Sequence, residues 1–139
     1  MDVSLPVLVV DDSRTMTTII SKLVHEVGFT DIDQVNDGPS ALDRLRAKKY
    51  GLVLSDWDMR PMNGTELIQQ IRKDRMNSSA LVIMITAKAD ADVSWLSGAD
   101  GYLTKPFKAR DLREKIEEVT SQRAESEIRL RPPAARAPP

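Results

Sequence analysis

A chain of 139 residues that is 41% apolar and 29% charged has room for one core and little besides. Its formal net charge of −1 provides no global field for nucleic acid or an anionic membrane. With no cysteine and one histidine, His25, it cannot form disulfides, use thiol catalysis, or build zinc–thiolate or poly-histidine sites.

The opening MDVSLPVLVVDD has no basic leader before its apolar run, and the run is far too short to span a membrane. A cytoplasmic protein is expected. Residues 6–10 are apolar throughout and predict a strand buried on both faces. Met16, Ile19, Ile20, Leu23, Val24 and Val27 recur at helical spacing and predict one amphipathic stripe, with Gly28 as the C-cap. A short segment over 32–35 leads to the turn cluster Asn36, Asp37, Gly38. Residues 39–48 predict a second helix with Ala41, Leu42 and Leu45 inward. Leu52, Val53 and Leu54 predict another buried strand, closely followed by Asp56. Asn63 and Gly64 open a helix carrying Leu67, Ile68 and Ile71, and residues 81–85 predict a strand ending at Thr86. A short helical piece around residues 93–96 leads to Gly98. Tyr102 and Leu103 form a brief last strand before Lys105 and Pro106. A final helix begins near Arg110, with Leu112, Ile116 and Val119 at helical spacing.

Five strand–helix repeats predict a doubly wound α/β fold: a five-stranded parallel sheet between two helical layers. Right-handed crossovers place every carboxyl end on one edge, where such sheets bind ligands. The polar residues fall there: Asp11 and Asp12 after the first strand, Asp56 after the third, Thr86 after the fourth and Lys105 after the fifth. Taken singly, an Asp pair reads as a helix N-cap, Thr86 as a strand end and Lys105-Pro106 as a turn. Their joint placement points to a site. Converging carboxylates repel, so one pKa rises or a cation sits between them. Oxygen-only donors suit a hard cation such as Mg²⁺. An ammonium and a hydroxyl suit the anionic oxygens of a phosphoryl group. Together they describe a phosphoryl-transfer site with Asp56, on the central strand, as acceptor and Asp11 and Asp12 on the metal.

The stretches VDDSRTM, LVLSDWDMRPMNG, IMITAKA and GYLTKPF resemble the receiver domain of bacterial response regulators, most of all its single-domain, chemotaxis-type (CheY-like) members, over roughly residues 5–120. The resemblance implies a flavodoxin-like fold with strand order 2-1-3-4-5. It implies a histidine kinase as phosphodonor to Asp56. Mg²⁺ would be held by Asp11 or Asp12, Asp56 and the backbone carbonyl of Asp58. Thr86 and Tyr102 would act as switch residues, in a signalling domain rather than an enzyme. It further implies a target protein such as a flagellar motor switch component.

Three features depart from that pattern. Arg60, followed by Pro61, stands where the family usually has proline. Only nineteen positions separate Thr86 from Lys105 (105 minus 86), so the helix between them must be short. The chain also continues past the receiver, dividing into residues 1–120 and an Arg/Pro-rich extension, 121–139. From Thr120 on, four arginines (Arg123, Arg129, Arg131, Arg136) against two glutamates give +2, leaving −3 for the body. The extension reads either as a solvated, frayed end or as a ligand site. Arginine suits phosphates and guanine edges, and Trp95 offers a stacking surface or ordinary core filling. In both tail and short helix the chain is similar to CheY-like effectors of cyclic di-GMP, which are nucleotide-binding proteins acting at the flagellar motor. A phosphorylation-switched interaction module and a nucleotide-binding effector thus stand side by side. A hydrolase of phosphorylated small molecules is the weaker third, and a DNA-binding output is not expected.

Overall fold

A computed structural model describes residues 1–87 and 98–130. Five strands, β1 (Val7–Val10), β2 (Ile32–Val35), β3 (Leu52–Asp56), β4 (Leu81–Thr86) and β5 (Gly101–Thr104), accompany helices α1 (Arg14–Val27), α2 (Gly38–Ala47), α3 (Gly64–Lys73) and α4 (Ala109–Leu130). All strand pairs are parallel, in the order β2-β1-β3-β4-β5. This is the doubly wound three-layer arrangement expected from the repeats, with the flavodoxin-like strand order that the resemblance implied. The short helical piece around residues 93–96, with Trp95, lies outside the described residues, as do Arg131 and Arg136.

The continuous apolar runs are explained by the two helical layers. Side chains alternate across a strand. Val7, Val9, Leu52, Leu54, Ile83 and Ile85 pack with α1 and α4, through Ile20, Val24, Leu112, Ile116 and Val119. Leu8, Val10, Val53, Val82 and Met84 pack with α2 and α3, through Ala41, Leu45, Leu67, Ile68 and Ile71. Each buried apolar side chain of this size contributes about 1.5–3 kcal/mol; the polar residues buried in the sheet, Ser55, Asp56 and Thr86, sit at or next to the carboxyl ends of their strands.

The helix ends are set locally. Ser13 caps α1 by accepting from the Met16 N–H at 3.2 Å, and Gly28 closes it at φ 128°. That region favours glycine. Asn63 caps α3 in a capping box with Glu66. Gly64 must lack a side chain, since a Cβ there would lie 2.9 Å from the Trp57 Cα.

Two details differ from the sequence reading. The buried face of α1 is centred on Thr17, Ile20, Ser21, Val24 and Val27, while Ile19 is 45% exposed. Because α4 packs beside α1, Met16, Ile19 and Leu23 lie toward the rim. There, with Pro106 and Phe107, they line an apolar cavity of about 380 Å³ next to Lys105. Helix α4 also runs through residue 120 without a break, so the division expected at that point falls inside a helix. Its inward stripe of Leu112, Ile116 and Val119 continues four residues on to Arg123. That residue is half-buried, whereas Arg129 is exposed.

Candidate functional site

Because every strand is parallel, the ends of β1, β3, β4 and β5 meet along one edge. Asp11 follows β1 and is 1% exposed. Its backbone N–H donates to the Val35 carbonyl at 3.3 Å, and its own carbonyl accepts from Asn36 Nδ2 at 2.9 Å. Its Oδ1 accepts from the Ser13 N–H at 2.9 Å, so the turn into α1 orients the carboxylate. Asp12 is exposed, and Asp56, the last residue of β3, is buried. Each of Asp11, Asp12 and Asp56 offers an oxygen, and these atoms lie within 4.8 Å of one another.

Lys105 reaches into this cluster. Its Nζ donates to Asp11 Oδ2 at 3.3 Å and lies 3.5 Å from Asp56 Oδ1. The Lys105 N–H donates to the Thr86 carbonyl at 2.9 Å, which ties the ends of β4 and β5 together and sets the lysine's reach. Thr86 is buried and its hydroxyl donates to the Ala87 carbonyl at 3.0 Å. Trp57, next to Asp56, is anchored by its N–H on the Ile85 carbonyl at 3.1 Å and by its indole N–H on Thr65 Oγ1 at 3.0 Å.

Three carboxylates here face one ammonium. Burial, the largest cause, pushes the Asp56 carboxyl up to about 6; Lys105 pulls it back, while Asp11 and then Asp12 push it up further. Such a deficit of positive charge in an oxygen-only donor set fits a hard divalent cation, and Mg²⁺ suits two or three carboxylate oxygens completed by water. The buried, weakly neutralised Asp56 is also the group best placed to act as a nucleophile toward phosphorus.

The structure thus brings Asp11, Asp12, Asp56, Thr86 and Lys105 to one edge. Asp58 and Arg60 lie exposed on the loop between β3 and α3, and the Arg60–Pro61 and Lys105–Pro106 peptide bonds are cis. Tyr102 lies on β5 opposite Met84; burial and then the Asp100 charge raise its hydroxyl pKa. Arg123 is tied to the body of the fold: Nη1 donates to the Ser79 carbonyl at 2.7 Å and Nη2 to Asp100 Oδ1 at 2.8 Å. The sequence reading missed Ser13 and Asn36 as supports of Asp11. Asn36 stood at a strand end like the other site residues, and that was the available signal.

A family model described as the response regulator receiver domain matches residues 7–117. The chain belongs to this family. The receiver is 37% identical over 116 residues to the chemotaxis protein CheY of Pseudomonas aeruginosa, covering 81% of this chain and 94% of that one. It is 34% identical over 119 residues to CheY-3 of Vibrio cholerae, covering 84% and 92%. Its fold matches the chemotaxis response regulator CheY4 of Vibrio cholerae with a TM-score of 0.75 and 25% identity, over 84% and 98% of the two chains. It also matches the receiver domain of a sensor histidine kinase from Pseudomonas aeruginosa, whose structure has a magnesium ion coordinated in the active-site cleft. That match has a TM-score of 0.73 and 25% identity over 80% and 93%. CheY-like receivers are signalling phosphoacceptors, so the chain is a signalling domain and not an enzyme. Among the described residues no helix is long and apolar enough to cross a membrane.

Proposed function

We propose that the receiver accepts a phosphoryl group on Asp56 from the phosphohistidine of a partner kinase and passes the signal on by protein–protein contact. The observation that carries this reading is the buried Asp56 carboxylate, with Asp11 and Asp12 oxygens within 4.8 Å and the Lys105 ammonium at 3.5 Å. Asp11, Asp12 and Asp56, with the Asp58 carbonyl, would hold Mg²⁺, which when bound neutralises charge on phosphoryl oxygens. A deprotonated Asp56 oxygen attacks phosphorus, and the bond to the donor nitrogen breaks. Lys105 pairs with one oxygen of the arriving group, and the Thr86 hydroxyl exchanges its Ala87 carbonyl for another. Tyr102 then follows Thr86 by changing rotamer, which alters the surface around β5. The relatives are named chemotaxis proteins, which supports a target in chemotaxis; a flagellar motor switch component is the target that the family resemblance implies. The test is labelling with radioactive acetyl phosphate and Mg²⁺. The wild type should take up an alkali-labile label and Asp56→Asn should not; label retained by the variant would refute the assignment.

The second reading, a cyclic di-GMP site in the extension, is supported by the exposed Arg129, for which no ion pair is found among the described residues. Calorimetric titration of the full chain against a chain ending at Leu130 with Arg129→Ala decides it. Affinity lost in the shortened variant supports the reading, and equal affinity or none in either removes it.

A further inference from the structure

Helix α4 continues well beyond the core it helps to build. Among its described side chains the last fully buried one is Val119, at 2% exposure. From 120 to 129 every side chain is exposed except Arg123. The docked part of α4 already supplies the nucleus, so residues 120–130 need only propagate the helix; propagation is close to neutral per residue, and an exposed helix end frays unless something holds it. Among the described side chains of this stretch, burial of apolar surface does not supply the hold; Ile128 is 68% exposed.

What the extension does have is one polar anchorage. Asp100, directly before β5, offers Oδ1 to Arg123 Nη2 at 2.8 Å and Oδ2 to Arg72 Nη2 at 2.9 Å. The same Oδ2 accepts from the Val82 N–H at 2.8 Å, and the Asp100 N–H donates to the Val82 carbonyl at 2.8 Å. The other arm of each guanidinium is also fixed. Arg123 Nη1 donates to the Ser79 carbonyl at 2.7 Å, and Arg72 Nη1 to the Ala80 carbonyl at 2.7 Å. The side chains of Asp100, Arg72 and Arg123 are 19%, 29% and 26% exposed. This is a partly desolvated network of charge-assisted hydrogen bonds with planar forks, which holds more firmly than an exposed ion pair.

We propose that Arg123 and Asp100 form a latch that docks the helical extension of α4 on the amino edge of the sheet, giving the extension two states, held and released. Arg72 is the fixed side of the latch. It keeps Asp100 partnered when Arg123 leaves, so opening does not strand a buried charge and costs the body little. Arg123 is the moving side, since among the described residues its side chain is the one of 120–129 that joins the body by hydrogen bonds and an ion pair. The closed state holds the extension against the segments that enter β4 and β5. The open state frees the Arg123 guanidinium for an anionic partner.

The test is amide hydrogen exchange on the full chain, read residue by residue. In Arg123→Ala, amides of 120–130 should exchange at least about tenfold faster than in the wild type, the loss expected for a charge-assisted contact, while amides of β1, β3 and β4 keep their rates. Asp100→Asn should act in the same direction, and Arg123→Lys, with one ammonium in place of the fork, should fall between. Unchanged exchange of 120–130 in Arg123→Ala overturns the latch. So does equal acceleration of 120–130 and the core strands, because Arg123 would then support the whole fold instead of a separately opening segment.

Discussion

At the carboxyl edge of the sheet, Asp11, Asp12 and Asp56 face one ammonium, Lys105. At the amino edge, Asp100 alone faces two guanidiniums, Arg72 and Arg123. At the far, β2 end of the same edge two carboxylates share one ammonium and a hydroxyl, so the two clusters together set three carboxylates against three cations. Lys48 donates to Asp31 at 2.8 Å and Asp33 at 3.0 Å, and the Tyr50 hydroxyl donates to Asp33 at 2.6 Å. Burial alone would raise the Asp33 pKa, yet the hydrogen bonds from Tyr50 and Lys48 more than offset it and the net shift is downward. Tyr50, by burial and then by Asp33, is pushed up to about 12, so it stays a donor. Asp56 at the opposite edge is pushed up to about 6. One edge is electrostatically satisfied and holds the fold. The other is left short of positive charge, which is the condition for binding a cation and a phosphoryl group.

The largest test of this contrast is Asn77, fully buried at the amino edge. Its Oδ1 accepts from the Tyr50 N–H at 2.7 Å, and its Nδ2 donates to the Leu45 carbonyl at 2.7 Å and the Lys48 carbonyl at 3.1 Å. Asn77→Ala orphans those backbone groups and should cost about 2–4 kcal/mol in urea denaturation. A loss below 1 kcal/mol, roughly a single ordinary hydrogen bond, would break the view that this edge carries the stability.

The carboxyl edge should respond with the opposite sign. The Asp56 pKa of about 6 lies above its ordinary value of 3.8. Between those two values the folded state holds a proton that the unfolded chain has released, so stability contributed by Asp56 falls as pH rises through the window. Without divalent cation, Asp56→Asn should therefore be more stable than the wild type above pH 6, by about 1–2 kcal/mol once solvent access to the pocket is discounted. The difference should vanish toward pH 4. Added Mg²⁺ should shrink it by neutralising the carboxylates. Parallel stability–pH curves for the two proteins would contradict the picture of a strained acidic edge.

The smallest effect belongs to Arg46–Asp43, an ion pair at 3.3 Å with both side chains more than half exposed. Arg46→Ala should change stability by less than about 0.5 kcal/mol. A larger loss would mean that charge pairing as such, and not its burial, distinguishes the two edges.

Much of this architecture is legible along the chain. The runs VLVV, LVL and LVIMI are apolar at every position because both faces of each strand are covered, and they predict a parallel sheet. Parallel connection then forces Asp11, Asp56, Thr86 and Lys105 to one edge without any knowledge of contacts. Ser13, Gly28 and Asn63 mark helix ends by short-range hydrogen bonding and backbone conformation, which a local window contains.

Other features depend on packing between distant elements. Helical spacing on α1 admits two overlapping faces, and the position of α4 decided that Thr17 and Ser21 turn inward while Ile19 lines a cavity. An arginine-rich tail has no visible order, yet Arg123 falls on the continuation of the α4 stripe and meets Asp100, 23 residues away. Asn77 joins groups 27 and 32 residues distant. The sequence by itself determined the strands, their covered faces and the edge at which the carboxylates gather, because those follow from periodicity and chain direction. Only the tertiary structure decided which charges are neutralised, because that depends on which side chains from separate elements come within hydrogen-bond distance in a partly dry environment.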